Sequence, residues 1–226
     1  MSRELGRPLR TWARVRWPLV LTLLVLFGML GIAAHRTDAF GADVRFTRWL
    51  QGLDWRLLDW VAVATNWSMD GTPLTIGAAA IVLFLLARRW RIDAGMLAFV
   101  IAIRLVNSGL KSLIESPRPT PDLVEVIEEA DNFGFPSGHA SGTLLVVGAT
   151  AWIMARHVRS PVWRVAIWTI AATWIVLTGI GRILVGAHWP SDVLGAWLWS
   201  VAVMVVVTWG TEKVRTREVA KSEGAD

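Results

Sequence analysis

Three short clusters in the sequence carry residues able to do chemistry together. They are Lys111-Ser-Leu-Ile-Glu-Ser-Pro-Arg118-Pro119, then Pro136-Ser137-Gly138-His139, then Arg182-Ile-Leu-Val-Gly-Ala-His188-Trp-Pro-Ser-Asp192. Singly, each has an ordinary explanation. Lys111 and Arg118 could be interface anchors, His139 a polar residue at a helix start, and Asp192 a helix cap. Taken together they bring three cations, two histidines and a carboxylate. That set suits phosphoryl transfer, which is catalysed largely by positioning and by neutralising charge on phosphate oxygens. Lys111, Arg118 and Arg182 would supply the charge, the arginines as planar forks. Ser137 and Gly138 sit where a helix begins, and free N–H groups there favour an anion. Gly138 has no side chain to hold a phosphate away from that backbone.

The two histidines divide the labour. His188 and Asp192 are four residues apart, so they meet if a helix starts near Pro190. A carboxylate on one ring nitrogen fixes the tautomer and frees the other to attack. His188 is therefore the candidate nucleophile and Asp192 its orienter. His139 has no carboxylate at that spacing and is the candidate acid for the leaving oxygen. The cations do the work of a metal, so neither a metal nor another cofactor is called for. Asp122, Glu125, Glu128 and Asp131 could offer oxygen ligands, but their spacing matches no recognisable metal loop.

These clusters must be held by membrane helices. Of 226 residues, 54% are hydrophobic and 18% charged. The apolar residues fall in six blocks: Trp17–Ala34, Thr72–Ala87, Ala94–Leu110, Ala140–Ala155, Val165–Ile180 and Val193–Trp209. With their flanks these approach the roughly 20 residues that cross a bilayer. The expected fold is an all-α, six-helix transmembrane bundle in a single domain, with residues 17–209 in the bundle and 1–16 and 211–226 as tails. A net charge of +5 could suit nucleic acid, but the placement of the charges argues for a bilayer. The N-terminus, the connections at Arg88–Arg91 and Arg156–Arg164, and the C-terminus hold 15 of the 23 basic residues. The positive-inside rule then puts both termini in the cytoplasm and all three clusters outside. The first block reads as an anchor rather than a cleaved signal peptide. There are fifteen tryptophans. Trp12, Trp17, Trp60, Trp90, Trp163, Trp189 and Trp209 fall near span ends, as amphipathic rings do at the headgroup layer. Trp168 and Trp174 read as core. The chain has no cysteine, which excludes disulfides, thiolate metal sites and cysteine nucleophiles.

Leu50, Leu53, Leu57, Leu58 and Val61 recur at helical spacing, with Asp54 and Arg56 between them. That predicts an amphipathic interfacial helix. Asp70-Gly71 turns the chain, and Pro73 suits the first turn of the second span. Residues 115–136 read as a solvated, proline-containing acidic loop, and the polar tail from Thr211 as disordered. Arg104, Asn107, Ser108 and Lys111 share one face of the third span. Arg104 there either supports the site from behind, with Asn107, or snorkels and pairs structurally.

The pattern Lys-x6-Arg-Pro, Pro-Ser-Gly-His, Arg-x5-His-x3-Asp resembles that of the type 2 phosphatidic acid phosphatases. That superfamily shares its active-site pattern with vanadium-dependent haloperoxidases and soluble acid phosphatases. The motifs span residues 111–192 in the family's order. The resemblance implies that Lys111, Arg118, Arg182, Ser137 and Gly138 bind phosphate. It also implies that His139 is the general acid and that Asp192 orients the nucleophile His188. A membrane lipid phosphate or diphosphate is the implied substrate: undecaprenyl diphosphate, phosphatidylglycerol phosphate or phosphatidic acid. One position departs, since the family's third motif usually begins Ser-Arg and Gly181 stands here. Gly181 leaves room for a second reading, a catalytically silent lipid-binding scaffold. A transporter is disfavoured because the charges cluster at one face and not at the midplane.

Overall fold

The computed structural model describes residues 6–53, 56–129 and 132–223, with side chains from residue 16 onward except at 54–59. These residues form eight helices and no strand: α1 (Gly6–His35), α2 (Gly41–Gln51), α3 (Arg56–Met69), α4 (Gly71–Ala87), α5 (Arg91–Ile114), α6 (Gly138–His157), α7 (Pro161–Leu184) and α8 (Pro190–Glu223). Five are long and apolar enough to span a membrane: α1 from Arg16, α5, α6, α7 and α8. α4 has 17 residues, roughly 25 Å of helix, against a hydrocarbon core of roughly 30 Å. Trp60–Met69 of α3 meets α4 at a bend of 62°, and the pair is long and apolar enough for a sixth, broken span or a re-entrant loop.

The helix expected across Leu50–Val61 is divided. α2 stops at Gln51, where Gly52 caps it by donating to Arg48 O and Leu50 O. A glycine carries little helical propensity and closes a helix easily, so apolar spacing alone does not carry the helix past it. Leu50 packs with Ala140, Ile183 and Val193. α3 does not simply lie on a surface, because its Ala62 and Thr65 are buried and stand close beside Gly181 of α7. The side chains of Trp12, Asp54, Arg56, Leu57 and Leu58, and Asp131 as a whole, lie outside the described residues.

The tail expected to be disordered is helical, since α8 continues to Glu223. Two of its charged residues have partners on other helices. Arg215 pairs with Asp93 at 2.5 Å, and Glu212 pairs with Arg156. Composition reports that a segment is polar but not that those charges are matched elsewhere. Two tryptophan assignments also change. Trp189 is buried, and Trp168, read as core, is 44% exposed.

α6 is the hub. Half of its residues are buried, many of them small: Ala140, Ser141, Gly142, Gly148, Ala149 and Ala151. Small side chains let membrane helices approach closely. Leu97 and Val100 of α5, Leu74 and Ala78 of α4, Leu145 and Val146 of α6, and Val207 of α8 form the largest apolar cluster. Leu21, Leu105, Leu113 and Ile170 point outward, an inversion expected where the surroundings are lipid. α5 ends and α6 and α8 begin at one end of the bundle, so the three motifs converge there.

Candidate active site

The third motif folds as a helix stop and a helix start in quick succession. At the end of α7, Gly186 donates to Ile183 O and Ala187 to Arg182 O, both over a left-handed Gly186 with φ +67°. This is a Schellman ending with glycine in its usual place. The glycine is doubly required, because a Cβ there would lie 2.1 Å from Glu125 O. His188 N also donates to Arg182 O, at 3.2 Å, so the turn itself brings His188 beside Arg182. α8 then starts at Pro190, a favoured first helical position. Asp192 reaches back to accept from Trp189 N at 3.0 Å, as an acid two or three residues inside a helix does in a capping box. Asp43 of α2 accepts from Ser191 N at 3.2 Å and Ser191 Oγ at 2.5 Å, and so caps the same helix from outside.

That arrangement sets the geometry of the candidate nucleophile. His188 Nδ1 lies 3.2 Å from Asp192 Oδ2, and His188 Nε2 is 3.5 Å from Arg118 Nη1. Asp192 therefore holds the Nδ1–H and leaves Nε2 toward the cations. His188 is 2% exposed and Asp192 fully buried. Burial, together with Arg118, Lys111 and Arg182, pushes the His188 pKa well below its ordinary value. That shift favours the neutral ring, the form able to attack.

The three cations line one cavity of about 300 Å³ with Gly138, His139, His188, Arg104, Asn107 and Ser108. Lys111 Nζ donates to Phe133 O at 2.9 Å and Asn132 Oδ1 at 3.3 Å. Arg118 donates to Asn132 O, Asn132 Oδ1 and Ala187 O, each at 2.5 Å. Arg182 is 2% exposed and donates to Glu128 at 2.7 and 2.8 Å and to Asn66 Oδ1 at 2.9 Å.

The expected site residues thus gather at one end of the bundle. The Ser137 side chain does not line the cavity. It is buried and accepts from Ala140 N at 3.4 Å, capping α6. Its own N–H is taken by Asp192 O at 3.1 Å. Asn107 supports the same turn, donating to Pro136 O at 3.4 Å and accepting from Ser141 Oγ at 3.1 Å. Arg104 reaches Thr75 Oγ1 at 3.4 Å and lines the cavity.

Four residues at the site were not legible in advance. Asp70 Oδ1 stands 4.0 Å from His139 Nε2, so the second histidine has a carboxylate after all, from the turn before α4. Asn66, Glu128 and Asn132 contact the cations. Asn66 lies one turn before Asp70, a polar residue within an apolar helix, and that was the available signal. Glu128 was hidden among neighbouring acids. Among the described residues no three His, Asp or Glu side chains gather as a metal cluster; Glu128 is instead paired with Arg182.

Gly181 now has a physical reason. A Cβ there would stand 2.6 Å from Thr65 Oγ1 and 3.3 Å from Ala62 Cα. The hydroxyl usual in the family would occupy space that α3 fills.

Comparison with known proteins gives the family. A phosphatidylglycerophosphatase B of Bacillus subtilis is 32% identical over 113 residues, 50% of this chain and 54% of that one. The match spans about half the length of that relative. A phosphatidylglycerophosphatase B of Escherichia coli is 28% identical over 77% of this chain and 90% of its own. The crystal structure of a transmembrane PAP2-type phosphatidylglycerolphosphate phosphatase from Bacillus subtilis superposes with a TM-score of 0.76 at 25% identity, covering 86% of this chain and 96% of that one. Residues 93–215, more than half of the chain and inclusive of all three motifs, match the PAP2 superfamily, and the chain belongs to it.

Proposed function

We propose that this protein hydrolyses the terminal phosphate of a membrane lipid through a phosphohistidine. The observation that carries the reading is the His188–Asp192 pair at 3.2 Å, with the free Nε2 facing a cavity lined by Lys111, Arg118 and Arg182. In the first step Nε2 attacks phosphorus and the bond to the lipid oxygen breaks. His139, whose Nε2 stands 4.0 Å from Asp70 Oδ1, gives its proton to that oxygen. In the second step water attacks the phosphohistidine, His139 takes up a proton, and inorganic phosphate leaves. The cations and the N–H groups opening α6 bear the charge that moves onto the phosphate oxygens.

The lipid class is supported by the setting. An apolar groove of about 340 Å³ between α4, α6 and α7 includes Met69, which also lines the polar cavity. A phosphate in the cavity can therefore continue into an apolar chain. The relatives' names point to phosphatidylglycerol phosphate; the family resemblance adds undecaprenyl diphosphate and phosphatidic acid. The charge asymmetry supports six spans in the cell membrane, both termini in the cytoplasm and the site on the opposite face. The close fit of α3 beside Gly181 gives that residue a packing reason, which weighs against a silent scaffold.

Purified protein in detergent should release phosphate from these lipids with EDTA present and be inhibited by vanadate, a transition-state mimic. Loss of activity in EDTA, restored by magnesium, would overturn the mechanism. For the orientation, cysteine at position 122 should react with an impermeant thiol reagent in intact cells, and cysteine at position 160 should not. The reverse labelling would invert the topology.

A further inference from the structure

The cations of the cavity are already occupied. The connection between α5 and α6 offers them three side-chain oxygens. Glu128 Oε1 and Oε2 take the fork of Arg182 at 2.8 and 2.7 Å. Asn132 Oδ1 accepts from both Lys111, at 3.3 Å, and Arg118, at 2.5 Å. A bound phosphate would offer its oxygens to the same donors. Of the two acceptors only Glu128 is charged, and charged partners make the stronger hydrogen bonds.

We propose that Glu128 is an internal competitor for the phosphate pocket, and that it sets an affinity threshold which the phosphodiester headgroups of the surrounding bilayer do not reach. The proposal rests on the phosphatase reading above. A three-cation pocket at a membrane surface faces an excess of phosphodiesters, each with one negative charge. Exchanging the bidentate carboxylate for such a group gains no charge. A terminal phosphate carries about −1.5 to −2 at neutral pH, and its exchange does gain.

The local structure fits displacement of a side chain and not of a loop. Ile127 N and Glu128 N both donate to Val185 O, at 2.9 and 3.2 Å, so the backbone is pinned to the third motif. The Glu128 side chain is 41% exposed and that of Arg182 3%, so the carboxylate has water to move into and the guanidinium stays. Asn66 Oδ1 holds Arg182 at 2.9 Å and keeps its orientation when Glu128 leaves. Burial acts to raise the Glu128 pKa, but the hydrogen bonds and charge of Arg182, with His139 and Arg118, outweigh it and hold the group below its ordinary value. The competitor is therefore anionic wherever the substrate is.

A pure competitor weakens every phosphate ligand by one common factor, which makes the test sharp. The full chain in detergent is titrated with inorganic phosphate and, separately, with dioctanoyl phosphatidylglycerol, and binding is read from thermal stability so that turnover is not needed. Wild type should bind phosphate, and the diester only weakly. In Glu128→Gln and in Glu128→Ala both ligands should tighten by the same factor, about tenfold for the loss of one charged contact. Phosphatidylglycerol should then also inhibit hydrolysis. Unchanged or weaker phosphate binding in the variants would make Glu128 a brace for Arg182 and overturn the proposal. Tightening of one ligand alone would mean direct contact instead of competition and would overturn it too. If no form of the protein binds phosphate, the phosphatase reading itself fails and the proposal with it. Should Glu128→Ala fold poorly, the isosteric Glu128→Gln carries the test.

Discussion

Two of the His–Asp pairs, His188–Asp192 and His157–Asp93, sit at opposite ends of the same bundle, and they leave their rings in different settings. At the end where α5 finishes and α6 begins, His188 bonds Asp192 at 3.2 Å and keeps Nε2 toward Arg118. At the other end His157 Nε2 lies 2.9 Å from Asp93 Oδ2. That ring is stacked flat on Trp90, with centroids 3.5 Å apart and planes 3° from parallel. Asp93 is 1% exposed and also takes Arg215 at 2.5 Å. The second pair thus joins the start of α5, the end of α6 and the extension of α8. Pairing alone does not make a nucleophile. What matters is which nitrogen the carboxylate leaves free and whether that nitrogen faces positive charge.

The largest expected effect breaks this comparison most directly. His188→Ala should reduce phosphate release by about 10³-fold or more, as loss of a covalent nucleophile does, with thermal stability retained. His157→Ala should leave turnover near wild type and lower stability by about 1–3 kcal/mol, the scale of a charged hydrogen bond. Phosphate release and thermal unfolding on both variants decide it. If His157→Ala abolished turnover while His188→Ala preserved it, the assignment of the two ends would be reversed.

The same pairs mark what the sequence discloses and what it withholds. His188 and Asp192 are four residues apart, and the Gly186 ending and Pro190 start are written in adjacent residues, so the pairing of the two was legible. The five helices long and apolar enough to span, and the bent pair that could make a sixth, fall on the apolar runs. Asp70 with His139, Glu128 with Arg182, and Asp93 with His157 are 54 to 69 positions apart. No local periodicity encodes such pairs, because they depend on which helices become neighbours. The helical tail was missed for the same reason, since its partners Asp93 and Arg156 lie on α5 and α6. The helix expected across Gly52 failed differently: a periodic pattern says which face is apolar, not where a glycine ends the element.

A smaller effect sharpens the electrostatic half of the comparison. The His188 pKa is pushed well below its ordinary value by burial first and by Arg118 next. A base whose pKa is lowered stays neutral as pH falls through the ordinary histidine range and protonates only further down. The ring resonance of His188, identified by its loss in His188→Ala, should therefore not titrate near pH 6.5. Removing the Arg118 charge by Arg118→Gln should move the titration upward while weakening phosphate binding. A direct ring titration is preferable to a rate profile, because the phosphate substrate itself titrates near pH 6. An ordinary titration of His188 in the wild type would mean that water reaches the ring and that the cations do not act on it.

The smallest expected effect concerns how tightly each end is packed. A Cβ at Gly181 meets Thr65 Oγ1 at 2.6 Å, whereas one at Gly95, near Asp93 at the other end, meets nothing within 4 Å. Gly181→Ser would restore the residue usual in the family's third motif, and on sequence grounds alone it should help phosphate binding. Packing predicts the opposite. α3 must shift or the helices must part, at a cost of about 1–3 kcal/mol for overpacking, and Asn66, one residue from Thr65, would move off Arg182. Gly95→Ala should be neutral or slightly stabilising, since alanine favours a helix over glycine by roughly 0.5–1 kcal/mol. Thr65→Ala should rescue Gly181→Ser in both stability and activity, because it removes the hydroxyl that the new side chain strikes. Thermal unfolding and phosphate release on the two singles and the double form a cycle, and additive effects would show that the residues do not meet. A gain of activity in Gly181→Ser alone would mean that α3 yields easily and that the missing hydroxyl, rather than helix packing, limits this site.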